Sequence, residues 1–221
     1  MNNDITRLID KSMKEYLKKI LEVNKRINLT NITDFNKAKM LLLEDSLSVL
    51  KELDNSPDGL YGDLGSGGGF PGVPLGLASG RETILIDSVS KKMSAVENIL
   101  NEMNIDNIST YDKRIEELSI ERSSEFSVLT AKGLSKIPSL LELSSPLLIS
   151  GGQLIALKSH EEDKFDNKEL ENKLGMRLIK EREYLLSDNE TYRKAYVFEK
   201  FKEPEIKLPR RIGMAQKKPF A

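Results

Sequence analysis

The 221-residue chain is expected to fold as an α/β protein, with a mostly parallel sheet carrying helices on both faces. Two observations point there. From Leu60 onward, short apolar segments of strand length alternate with segments whose apolar residues recur at helical spacing. The first strand candidate runs directly into a loop, Gly65 to Gly72, that holds five of the chain's 14 glycines. Hydrophobic residues at 38% and charged residues at 31% are ordinary for a globular domain, and the length suits one domain or one with a short appendage.

Ile5, Leu8, Ile9, Met13, Leu17, Ile20 and Leu21 mark an amphipathic helix over residues 4–23. A second helix is predicted from Asp34, a good N-cap, to Leu53, with Met40-Leu41-Leu42-Leu43 buried. Asp54-Asn55-Ser56-Pro57-Asp58-Gly59 then breaks the chain. Strands are predicted at Leu60–Leu64, Glu82–Asp87, Asn107–Tyr111, Phe126–Ala131 and Gln153–Leu157. Two closing strands, Arg182–Leu186 and Ala195–Phe201, flank the turn Ser187-Asp188-Asn189-Glu190, making seven in all. Helices fall near Pro71, at Lys91–Met103 and at Pro138–Leu148. The charged run 160–174 reads as an exposed helix, and its His160, the only histidine, as solvated.

The chain lacks cysteine, which excludes disulfides, thiolate zinc sites and cysteine nucleophiles. No apolar run approaches the ~18–20 residues of a membrane helix. Met1-Asn2-Asn3-Asp4 shows no basic or apolar leader pattern, so the cytoplasm is the expected compartment and no membrane partner is expected. Net charge is -1, yet residues 206–221 hold Lys207, Arg210, Arg211, Lys217 and Lys218 with no acid. That run is either a solvated tail or a phosphate-contacting arm.

Ligands of such sheets bind beyond the C-terminal strand ends, where the glycine loop lies. Gly67-x-Gly69-x-x-Gly72 fits a dinucleotide fingerprint, and Asp87 can accept hydrogen bonds from ribose hydroxyls. Pro71 removes an N–H that a pyrophosphate would use, and Asp63 places an acid where a cation fits better than a phosphate. S-adenosylmethionine carries an ammonium and a sulfonium and no phosphate. The pattern D-x-G-x-G-x-G with an acid ending the next strand resembles the class I, Rossmann-like S-adenosylmethionine-dependent methyltransferases. A nicotinamide-dependent oxidoreductase is the rival, and a non-catalytic RNA-binding protein of this fold is another.

Asn28-Leu29-Thr30, Asp45-Ser46-Leu47, the run from Asp63 through Phe70-Pro71-Gly72-Val73-Pro74-Leu75, and Pro209-Arg210-Arg211-Ile212-Gly213-Met214 together resemble the RsmG (GidB) family over about residues 5–220. Its members are bacterial methyltransferases acting on ring nitrogen 7 of a guanine in small-subunit (16S) ribosomal RNA. The resemblance implies an N-terminal helical cap, here 1–58, on a methyltransferase core, 59–221, and a monomer. It assigns Asp63, Gly65, Gly67 and Phe70 to the cofactor loop, Asp87 to the ribose, and Arg114-Ile115-Glu116-Glu117 to the neighbourhood of the adenine. It assigns Lys132, Lys158, Arg210 and Arg211 to the basic motifs, with Lys132 counted for both cofactor and RNA, and Lys217 and Lys218 join the RNA set. Phe70 either stacks on guanine and covers the cofactor or packs under the following helix. Lys132 stands where relatives have arginine, and Leu42 where many have histidine. Guanine N7 has a lone pair and no proton, so no general base and no metal are expected. A relative acting on a different substrate is the nearest alternative.

Overall fold

The computed structural model describes residues 8–159, 165 and 167–220. Helix α1 is Lys11–Asn24. Leu8 is already helical, and the expected helix is broken at Ile9-Asp10, where Asp10 caps α1 with its carboxylate accepting the Met13 N–H at 2.8 Å. Ile5, within the expected helix, lies outside the described residues.

Asp34 caps α2 (Phe35–Ala38) as expected, but no continuous helix follows. Lys39–Glu44 is a π-helix, α3 is Asp45–Leu47 and α4 is Leu50–Asp54. The Ser46 and Ser48 hydroxyls donate to the Leu42 and Glu44 carbonyls, a local competition that disturbs regular helix.

Beyond this cap come β1 (Leu60–Leu64), α5 (Gly72–Ser79), β2 (Thr83–Ile86), α6 (Ser90–Glu102) and β3 (Ile108–Tyr111). They are followed by α7 (Ile115–Glu121), β4 (Phe126–Lys132), α8 (Ile137–Ser144) and β5 (Leu148–Ser159). The chain then forms α9 (Asn167–Leu174), β6 (Met176–Leu185), β7 (Tyr192–Lys200) and the short α10 (Met214–Lys217). Helices α7 and α10 were not anticipated. A cue for α7 exists in the sequence: Glu117, in its first turn, accepts the Arg114 N–H at 2.9 Å. The run 160–174 is corrected too. Its described helix is α9 alone, and Leu170 and Leu174 bury one face of it; His160 lies outside the described residues.

The seven strands form one sheet in the order β3-β2-β1-β4-β5-β7-β6. Strands β1 to β5 are parallel, and β7 inserts antiparallel between β5 and β6. One core layer packs α7, α8 and α9 on the sheet around Leu118, Leu140, Leu141 and Leu170. The opposite layer joins cap to sheet, with Tyr16, Leu17 and Ile20 of α1 against Val73, Leu85, Val96 and Phe70.

Acids of the cap also face the closing strands. Glu52 is 3% exposed and receives Lys180 at 2.8 Å and Arg182 at 2.8 and 3.0 Å. Burial pushes its pKa up, but these two cations outweigh that and hold it below the ordinary carboxylate value. Glu44 accepts both the backbone N–H and the hydroxyl of Ser187, each at 2.6 Å. Arg81 fastens the other end of the cap, donating to the carbonyls of Leu53, Ser56 and Pro57 at 2.7–3.2 Å.

Candidate active site

The glycine loop leaves the C-terminal end of β1 and is pinned from both sides. Gly65 and Ser66 donate to the Ile86 carbonyl at 2.7 and 3.0 Å. Asp87 accepts the Gly67 N–H at 3.0 Å on one oxygen and the Val89 N–H at 2.9 Å on the other. Asp87 therefore fixes the loop while remaining half-buried, with carboxylate lone pairs left for further donors. Gly67 takes the left-handed backbone (φ +55°), and a Cβ there would find only the Leu29 carbonyl, 3.8 Å away. At Gly69 the need is space: an added Cβ would stand 2.3 Å from the Tyr16 hydroxyl, which itself donates to the Gly68 carbonyl at 2.9 Å.

Asp63 lies beneath the loop and is fully buried. One oxygen accepts the Gly72 N–H at 2.9 Å and the other the Thr130 hydroxyl at 2.8 Å. Burial raises its carboxyl to about 7, against the lowering influence of those two hydrogen bonds and of Lys132. Its oxygens are turned to the protein, so the carboxylate holds the start of α5 to β1. Phe70 is resolved in favour of packing: it is buried, and its ring meets Tyr16 edge-on at 5.7 Å. It ties the loop to α1.

Gly65, Asp87, Ile115 and Glu116 come together around a small cleft of about 70 Å³, walled also by Ile86, Leu143, Leu134 and Gln216. Ser88, Lys113 and Arg114 complete its lining, so apolar side chains and polar groups share its walls. Glu116 is 8% exposed and accepts the Gly213 N–H at 2.7 Å.

Next to it opens a cleft of about 730 Å³ beyond the ends of β4 and β5, sharing Leu134 and Gln216 with the first. Lys132, Lys136, Lys158 and Arg193 line it, with Asp45 as the single acid among the described residues. Asp45 is fully buried and was missed as a site residue. It accepts Lys132 at 2.8 Å, the Tyr184 hydroxyl at 2.9 Å and Arg193 at 3.4 Å. Lys132 also donates to the Leu41 carbonyl of the π-helix at 2.6 Å, so it bonds the cap rather than standing in the cofactor cleft. Lys158 donates to the Ser135 carbonyl at 2.6 Å and holds the loop after β4.

The tail is no loose arm. Arg210 grips Glu142 of α8 with two nitrogens, one at 2.6 Å, and lies over the Phe220 ring at 4.3 Å. Ser139 donates to the Ala215 carbonyl at 2.7 Å. Arg210 is thus a docking residue and not a free phosphate contact, whereas Arg211, Lys217 and Lys218 are exposed.

The fold carrying these clefts is the Rossmann-like class I fold of S-adenosylmethionine-dependent methyltransferases. The solved structure of such an enzyme from Aquifex aeolicus superposes with a TM-score of 0.55 at 17% identity, covering 82% of this chain and 97% of that one. The chain belongs to the GidB family, rRNA small subunit methyltransferase G, whose family model matches residues 9–187. Ribosomal RNA small subunit methyltransferase G of Streptococcus pyogenes, serotypes M49 and M1, is 34% identical over 93% of this chain and 89% of the relative.

Proposed function

We propose that the chain transfers the methyl group of S-adenosylmethionine to ring nitrogen 7 of a guanine in 16S ribosomal RNA. The observation that carries this reading, beside family membership, is the pair of adjoining clefts. One is small and mixes apolar side chains with the Asp87 carboxylate, the other is wide and carries Lys132, Lys136, Lys158 and Arg193, and they share Leu134 and Gln216.

When bound, S-adenosylmethionine supplies an electrophilic methyl group on a positively charged sulfur. The chain's residues then have to orient and to exclude water. Asp87 and Ile115 fix the adenosine, and the loop Gly65–Gly72 lets the backbone pass close to it. Lys136, Lys158 and Arg193 meet the phosphates of the RNA, and Lys132, held by Asp45 and Leu41, sets the cap wall of the acceptor cleft. Guanine N7 needs no deprotonation, so no side chain has to move a proton. In-line alignment of lone pair, methyl carbon and sulfur is the main demand, and orientation can supply up to ~7–11 kcal/mol. We read the protein as a cytoplasmic monomer that meets rRNA free or within the subunit.

Turnover of labelled S-adenosylmethionine on unmodified small-subunit RNA, with the product nucleoside identified by mass spectrometry, tests this. N7-methylguanosine is the expected product; a methyl group on another atom, or none, overturns the reading.

A further inference from the structure

A third cavity, of about 670 Å³, lies outside both clefts, between α1 and α6. Its floor is apolar, made by Val23, Ile27, Ala95 and Ile99. The Lys19–Glu102 ion pair, at 2.8 Å, crosses one end. Arg26 and Lys91 stand at the other. Lys91 is 11 residues from Glu102, roughly 16 Å along the helix, so the groove is several nucleotide units long.

The open end lies beside the cofactor loop. Ile27 lines the groove, and two residues later the Leu29 carbonyl is the nearest atom to a Cβ built on Gly67 or Gly68. α6 itself follows directly on Asp87-Ser88-Val89. The groove thus starts near the glycine loop and Asp87, which border the small cleft.

Its lining holds Lys19, Arg26 and Lys91 against Glu22 and Glu102, a small excess of cations in a chain whose net charge is -1. The rim acids are answered locally, Glu102 by Lys19 and Glu22 by Lys25 at 2.6 Å. Arg26 and Lys91 are exposed, and Arg26 stands near enough to Glu22 to help Lys25 lower that carboxyl. An apolar floor for a base or ribose, with exposed cations at the rim for phosphate, suits a single-stranded nucleic acid held without aromatic stacking.

We infer that this groove is a second contact site for the RNA substrate, holding a single-stranded stretch that flanks the target base. The inference rests on the function proposed above. It adds the N-terminal cap and α6 to an RNA surface that sequence reading confined to the tail and strand ends.

The test is the double variant Arg26→Glu with Lys91→Glu in the full-length protein, with Ser94→Trp as a variant that fills the groove without changing charge. Binding of protein-free small-subunit RNA is measured across a salt series, and S-adenosylhomocysteine affinity by calorimetry. The double variant should bind RNA at least tenfold more weakly, with its salt dependence flattened by about 1.5–2 in slope. Ser94→Trp should weaken RNA binding at every salt concentration with the slope unchanged. Thermal unfolding and S-adenosylhomocysteine affinity should match wild type for both. Wild-type RNA affinity and slope in the double variant overturn the groove assignment while leaving the methyltransferase reading standing. A loss seen only with protein-containing subunits assigns the groove to a ribosomal protein and overturns it equally. Failure of the unmodified enzyme to bind RNA at all overturns both.

Discussion

The Glu116 carboxylate accepts the backbone N–H of Gly213 at 2.7 Å, across 97 residues of sequence. One bond therefore joins the wall of the small cleft beside the glycine loop to the basic tail. Gln216, three residues on, borders both clefts.

Replacing Glu116 by alanine should loosen the tail and the cleft together. A charge-assisted hydrogen bond is worth about 1.5–3 kcal/mol, so the docked tail loses about that much local stability. Hydrogen exchange of the amides of 210–218 should accelerate by one to two orders of magnitude, roughly as that free energy dictates. S-adenosylhomocysteine should bind more weakly in parallel. Unchanged exchange in the tail would refute the coupling.

Arg210 and Arg211, neighbours in sequence, should behave oppositely. Arg210→Ala strands Glu142, 2% exposed, without its partner and should cost about 3 kcal/mol, read as a lowered urea midpoint. Arg211→Ala should leave the midpoint unchanged and weaken RNA binding with a salt slope reduced by about one. Equal destabilisation by both would contradict the docking described for Arg210.

Asp63 sets a pH dependence. Its carboxyl is raised to about 7 in the folded chain and lies near 3.8 when unfolded. The folded state thus holds a proton that the unfolded state has lost, so this group's stabilisation is complete below pH ~4 and is lost as pH rises through ~7. The expected fall approaches 1.4 kcal/mol per pH unit within that window. Asp63→Asn, which can still accept from Gly72, should flatten the profile of unfolding free energy against pH. A profile identical to wild type would remove Asp63 as its source.

Two glycines of the loop should fail in different ways. Gly69→Ala puts a methyl group onto the Tyr16 hydroxyl in a left-handed residue (φ +85°) and should unseat α1, costing about 2–3 kcal/mol of stability. Gly67→Val meets little protein, so its stability loss should stay near 1–2 kcal/mol of backbone strain while cofactor affinity collapses. Calorimetry with S-adenosylhomocysteine beside thermal melts separates the two; tight binding by Gly67→Val would clear the loop of the cofactor role.

Alternating apolar segments made the strands legible, and Leu60–Leu64 stands as expected because its edges are set by local turn chemistry. Asp34 was legible as a cap for the same reason. Long-range partners were not. Nothing near Phe70 announces that Tyr16, 54 residues earlier, will cover its ring. Asp45 looks like an ordinary helix residue until Lys132, Tyr184 and Arg193 arrive from three different strands. The basic tail looked free because Glu142, its main partner, lies 68 residues away from Arg210 on α8. That Gly65 and Asp87 would lie side by side was readable, since a strand-loop-helix unit places its own residues; the wide basic cleft needed the whole sheet.

The direction of β7 has a consequence for biosynthesis. Running antiparallel, it ends at the edge of the sheet opposite both clefts, about 30 Å from where it began. The chain must then climb back over α9 and α8, through Glu205 on the Lys173 carbonyl and Arg210 on Glu142, before Gly213 and Gln216 reach the clefts. On the translating ribosome every strand is made before this wall is, so the sheet is complete in sequence before the shared wall of the two clefts exists.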